Sequence, residues 1–243
     1  MFSSVFSFSP LTQTILAGLF TWWMTLLGAA MAIPGRTPRP KLNDAMLGAA
    51  GGVMIAAGFW SLLAPALELA GLEWSPRFVW IPVAIGFLAG AAAIRLLDLV
   101  LPHLHPGLSP DQTEGVPTHW RQSTLLLLAI TIHNIPEGFA VGVAFGALAN
   151  LSAGDPTGSL TFSGAWAVAI GIGLQNIPEG LAVAAPLRAS GLSRTRAFMM
   201  GQLSGIVEPV AAIVGFLAVA HVTAILPYAL AFAAGAMIFV VVE

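Results

Sequence analysis

The chain is 243 residues long, 57% apolar and only 8% charged. A soluble domain carries about 25% charged residues, so this is an integral membrane protein. It has no cysteine, which excludes disulfides and thiolate metal sites and leaves imidazole, carboxylate, amide and thioether as possible metal ligands. The formal net charge is −2, and with no basic patch to hold phosphates, nucleic acid is excluded as a partner.

The opening MFSSVFSFSP has no basic n-region and no small-residue cleavage site ahead of the first apolar run. That run is therefore read as a retained helix. At about 20 apolar residues per crossing, seven spans are predicted: Leu11–Ile33, Asp44–Leu69, Phe78–Leu101, Ser123–Leu148, Leu160–Leu187, Thr195–Ala220 and Thr223–Val242. The expected fold is all-α, a helical bundle of seven transmembrane spans in a single domain filling residues 1–243. The loop over residues 103–121 is the longest and most polar, with Pro-His-Leu-His-Pro followed by Asp111, Glu114 and His119. The external loop from Ala149 to Ser159 is short and holds Asp155.

Basic residues set the orientation. The chain holds nine Lys and Arg. Arg36, Arg39 and Lys41 lie in the first loop, Arg188, Arg194 and Arg196 in the fifth, and Arg95 and Arg121 flank the third. Only Arg77 falls on the other side. By the positive-inside rule, loops one, three and five face the cytoplasm, and the N-terminus faces out in a multi-pass protein of the cell membrane.

Two matched stretches stand in the middle of long apolar segments. The first is HNIPEG, His133 to Gly138, in the fourth span, and the second is QNIPEG, Gln175 to Gly180, in the fifth. On a helix His133 and Glu137 point to one side, with Asn134 on nearly the same stripe, and Gln175, Asn176 and Glu179 reproduce that geometry. Consecutive helices tend to pack as antiparallel neighbours, so the two stripes are expected to face one another at mid-membrane depth. Two unpaired glutamates there would repel, and a divalent cation between them removes the problem. Imidazole with carboxylate and amide oxygens suits Zn²⁺, and also Fe²⁺, Mn²⁺ or Cd²⁺. Interhelical hydrogen bonding alone would account for a lone Asn134 or Gln175. It does not account for ionisable His133, Glu137 and Glu179 together, doubled with Pro136 and Pro178, which deprive the carbonyls of Ile132 and Leu174 of their usual amide partners.

A third intramembrane acid, Glu208 in GIVEPV, again precedes a proline and is read as a further ligand or second-site residue. Met54, in the glycine-rich second span, reads by pattern as packing. His103 and His105 offer a weak metal-catching signal on the cytoplasmic side. Arg95, three residues from Asp98, reads as a local ion pair, and His221 as interfacial.

These residues resemble the ZIP family of divalent-metal transporters, in particular its bacterial GufA-like branch. The likeness rests on HNIPEG, QNIPEG, SGIVEP, AGAMIFVVVE and DAMLGAAGGVMIAAG. It implies an eight-helix fold with both termini outside, whose last helix is missing beyond Glu243. It also implies a first metal site of His133, Glu137, Gln175 and Glu179, joined by Met54, which raises Met54 above its packing role. A neighbouring second site is implied at Asn134, Asn176 and Glu208, sharing Glu137 and Glu179. Neutral amides at Gln175 and Asn176, where the family often has an acid or histidine, weaken the case for a second ion. The expected function is movement of Zn²⁺ and other divalent first-row metals into the cytoplasm, with the lipid bilayer and divalent ions as partners and a homodimer as a candidate assembly. An intramembrane metal-dependent hydrolase is the alternative. It lacks H-E-x-x-H and a separate general base, and no ATP-binding G-x-x-x-x-G-K-[ST] motif is present. A metal sensor without flux is the third reading.

Overall fold

The computed structural model describes residues 8–34, 40–104, 112–150, 161–220 and 222–242. Arg36, Arg39, His105, Asp111, Asp155, His221 and Glu243 lie outside the described residues.

Each predicted span is helical, with a π-helical stretch in the second and a break in the sixth. The first, α1, runs Pro10–Ala30. Ser9 caps it by accepting from the Thr12 amide at 3.2 Å, and Pro10 occupies the first turn, where its missing N–H costs nothing. The second span is longer than predicted and runs on to Glu73. It comprises α2 (Pro40–Ala56), a π-helical stretch (Ala57–Leu63) and α3 (Ala64–Glu73). Pro65 supplies the cause: its ring would meet the carbonyl four residues back, and the wider turns just before it avoid that clash. The third and fourth spans are α4 (Trp80–Val100) and α5 (Gln122–Asn150), and the fifth is α6 (Phe162–Ala189). Pro136 and Pro178 sit inside α5 and α6, yet both helices continue through them.

The sixth span is not the continuous helix expected over Thr195–Ala220. It breaks into α7 (Arg194–Ser204) and α8 (Val207–Val219), with Gly205 and Ile206 between. Pro209 would disrupt a continuous helix at Gly205, but it is harmless in the first turn of a new one. The break puts Glu208 in the first turn of α8, where the helix dipole favours a negative charge. The seventh span, α9 (Leu226–Val242), has 17 residues and follows a short 3₁₀ turn, Thr223–Ile225.

Six of these passes are long and apolar enough to cross a membrane, and α9 is a shorter apolar helix. The polarity is that of a membrane bundle. Trp23, Trp60, Ile85, Leu88 and Leu217 are more than half exposed around the outside, while Thr21, Thr25, Asn134, Glu137, Gln175 and Glu208 are wholly or almost wholly buried. The helices pack in two groups. α1 lies along α6 and α8, and α5 along α8; α4 lies along α9, which also packs on the π-helical stretch and α3. Sequence adjacency therefore misleads in part: α5 and α6 touch, but each packs more extensively on another helix, α5 on α8 and α6 on α1.

Candidate metal centre

The two repeated motifs do meet at the centre of the bundle. The Gln175 side-chain amide donates to Glu137 Oε1 at 2.7 Å, joining the α5 stripe to the α6 stripe. One residue on, the Asn176 amide donates to Glu208 Oε2 at 2.7 Å and to the Thr21 carbonyl at 3.2 Å. Thr25 Oγ1 donates to the other carboxylate oxygen, Glu208 Oε1, at 3.1 Å. Four helices thus contribute: α5, α6, α8 and, unanticipated from the sequence, α1. Threonines in an apolar helix give no strong signal alone. The detectable hint was their spacing: Thr21 and Thr25 are four apart and share one face.

The amides divide their two ends between two tasks. Each NH₂ satisfies one carboxylate oxygen and leaves the amide oxygen without a partner. Among the described residues, the buried atoms lacking a hydrogen bond include Glu137 Oε2, Gln175 Oε1, Asn176 Oδ1, Glu179 Oε2 and both polar atoms of Asn134. Asn134, Glu137, Asn176 and Glu208 are completely buried. A buried acceptor left unpaired costs about 1–3 kcal/mol, and five such oxygens from two adjoining helices are too many for simple helix-to-helix hydrogen bonding. Oxygens accept only donors or cations. Three carboxylates share the site with no Lys or Arg beside them among the described residues, so the donor set fits a dication.

His133 is half-buried beside Asn134. Met54 is 4% exposed and belongs to the apolar cluster that also holds Ile132, Val141 and Ile172. α2, which carries Met54, packs along α6.

The glycine ending each motif is where a neighbouring backbone comes close. A Cβ on Gly138 would overlap the Glu208 carbonyl oxygen, and one on Gly180 would overlap that of Thr25. So the same N-I-P-E-G string that supplies acid and amide also admits the helix bearing the next polar residue.

A second polar cluster lies at the C-terminal end of α4. Arg95 bonds Asp98 at 2.7 Å, the ion pair expected from their spacing. Asp98 is also met at 2.8 Å by His103 Nε2, whose Nδ1 lies 2.8 Å from the Leu101 carbonyl. His103 and Glu114 exchange backbone hydrogen bonds. Asp98, His103 and Glu114 present ligand atoms within 4.8 Å of one another.

Residues 109–243 match the family model described as ZIP zinc transporter. The chain is 40% identical to the zinc transporter ZIP11 of Homo sapiens, covering 97% of this chain and 89% of that protein. It is 40% identical to the zinc transporter GufA of Myxococcus xanthus, over 93% of this chain and 84% of the relative. The zinc transporter ZIPB of Bordetella bronchiseptica is 38% identical, with 93% and 69% covered.

Proposed function

Because the chain belongs to the ZIP zinc transporter family, we propose that its buried carboxylate–amide centre is the station through which Zn²⁺ crosses the bilayer. The protein is a multi-pass membrane transporter of zinc and not an enzyme. The hydrolase alternative finds no support, since the relatives above are named as transporters.

One observation carries the reading of the site: Glu137, Gln175, Asn176 and Glu179 each leave a buried oxygen without a partner. Glu137 Oε2, Gln175 Oε1 and Glu179 Oε2, with His133 and Met54 closing the shell, hold one ion. The ion sheds its water because these groups replace the lost hydration, and its charge offsets the repulsion among the carboxylates. The neutral amides keep the grip moderate, which a carrier needs in order to release its cargo. Glu208 belongs to an adjoining position with Asn134 and Asn176. Both its oxygens already accept a hydrogen bond, whereas Glu137 Oε2 and Glu179 Oε2 accept none among the described residues, which favours a single ion at the first position.

The topology predicted from the sequence puts eight of the nine basic residues on one side, which supports an external N-terminus, the cell membrane as location, and inward transport. Release would run toward the loop that carries His103. Ligands of intermediate softness also admit Fe²⁺, Mn²⁺ and Cd²⁺ as competing cargo. Alternation of access by the group of α1, α5, α6 and α8 moving against that of α3, α4 and α9 is suggested by the two packing groups, and it requires saturable flux. Equilibrium binding of Zn²⁺ to the purified protein tests the site. Wild type should bind saturably, while Glu137→Gln and Glu179→Gln should each weaken binding at least about tenfold, the worth of one lost charged contact. Unchanged affinity in both variants would remove the centre from the transport path.

A further inference from the structure

We propose that a groove at the basic end of the bundle, between α5, α6 and α7, binds the phosphate headgroup of an anionic phospholipid from the adjoining leaflet. The groove has two lobes of about 520 and 250 Å³ that share Arg121, Ser123 and Leu192. Arg121 precedes the first turn of α5, and Arg196, in the first turn of α7, lines the larger lobe. Met199 and Met200 form its apolar wall, with Leu126 and Leu187 in the smaller lobe.

Three features point to one occupant. The first is uncompensated charge. Among the described residues no acidic side chain lines either lobe, and the Arg and Lys side chains make one carboxylate pair, that of Arg95 with Asp98. Arg188 stands behind the groove; it donates to the Leu192 carbonyl, fixing the turn that forms one wall, and its buried Nε has no partner among the described residues. Guanidinium groups bind phosphate in bidentate fashion, more strongly than they bind neutral acceptors. The second feature is the wall. A soluble anion gains nothing from Met199 and Met200, whereas an acyl chain does, and methionine adapts to chains of varied shape. The third is depth. The groove opens where α5 and α7 begin, on the side rich in Lys and Arg, and basic pockets between membrane helices at that level recruit anionic headgroups. The site is separate from the metal centre and does not depend on its assignment.

The test uses the full chain in neutral detergent, titrated with short-chain phosphatidylglycerol, phosphatidylcholine of equal chain length, and inorganic phosphate. Melting temperature and native mass spectrometry are the readouts. Phosphatidylglycerol should bind saturably and stabilise, and phosphatidylcholine should not. Arg121→Gln/Arg196→Gln should weaken phosphatidylglycerol binding at least about tenfold, and Arg77→Gln, at the opposite end, should leave it unchanged. Met200→Gln, which keeps both arginines, should weaken the lipid and not inorganic phosphate. Equal binding of the two lipids, full retention of phosphatidylglycerol by the double variant, or phosphate binding as tightly as the lipid would each overturn the proposal.

Discussion

At the scale of single residues, the centre works by dividing labour between carboxylates and amides. Glu137 and Glu208 each give an oxygen to an amide donor, and the amide oxygens are thereby aimed away from it. Thr25 does for Glu208 Oε1 what Asn176 does for Oε2. It holds a carboxylate in register. Thr25→Val should therefore raise the KM for zinc uptake several-fold with a smaller change in kcat, and Thr25→Ser should restore it. Equal loss in the serine variant would make Thr25 a packing residue only. Gln175→Glu adds a charge to the shell and should lower both KM and kcat, since a tighter site releases its ion more slowly; steady-state uptake curves separate the two constants.

Much of this was legible in the chain. His133, Glu137, Gln175 and Glu179 stood out because ionisable groups in an apolar run are costly and the run occurs twice. The structure brings Glu137 against Gln175, as the facing stripes suggested; it also brings Asn176 against Glu208, a pairing that the stripes did not suggest. Thr21 and Thr25 did not stand out, because a hydroxyl within a helix routinely bonds its own backbone and costs little. Only the packing of α1 against α6 and α8 gives them a role.

At the scale of elements, close approach of backbones positions the site. Proline at 136 and 178 is expected to deprive the carbonyls of Ile132 and Leu174 of their partners; α5 and α6 run on through both prolines, and the break falls instead at Gly205–Ile206. The reason is local: Gly205 lies four residues before Pro209, so the clash and the weakest helix former coincide there. The motif glycines serve the opposite purpose. Gly138 and Gly180 bring Glu208 and Thr25 close, so Gly138→Ala or Gly180→Ala must push helices apart. Overpacking of this kind costs about 1–3 kcal/mol. Each variant should melt earlier than wild type and bind zinc less tightly, as read by thermal unfolding with and without the ion. A variant with wild-type melting and affinity would show that the helices have room to spare.

At the scale of the whole molecule, the claim is a polar centre enclosed by two helix groups, with one basic face. Charge bias predicts an orientation, and the absence of cysteine makes it simple to check. Ser190→Cys, exposed beside the basic groove, should react with an impermeant thiol reagent only after cells are opened. Ser75→Cys, exposed between α3 and α4, should react in intact cells. The reverse pattern would invert the topology and with it the direction of transport.

The most direct measurement is uptake of ⁶⁵Zn into liposomes carrying the purified chain, with wild type beside Glu137→Ala and Glu179→Ala. Saturable uptake by wild type, lost in both variants while their folding and reconstitution are preserved, is the expected result. Uptake that is undiminished in the variants, or that rises without saturation, would contradict transport through the paired motifs.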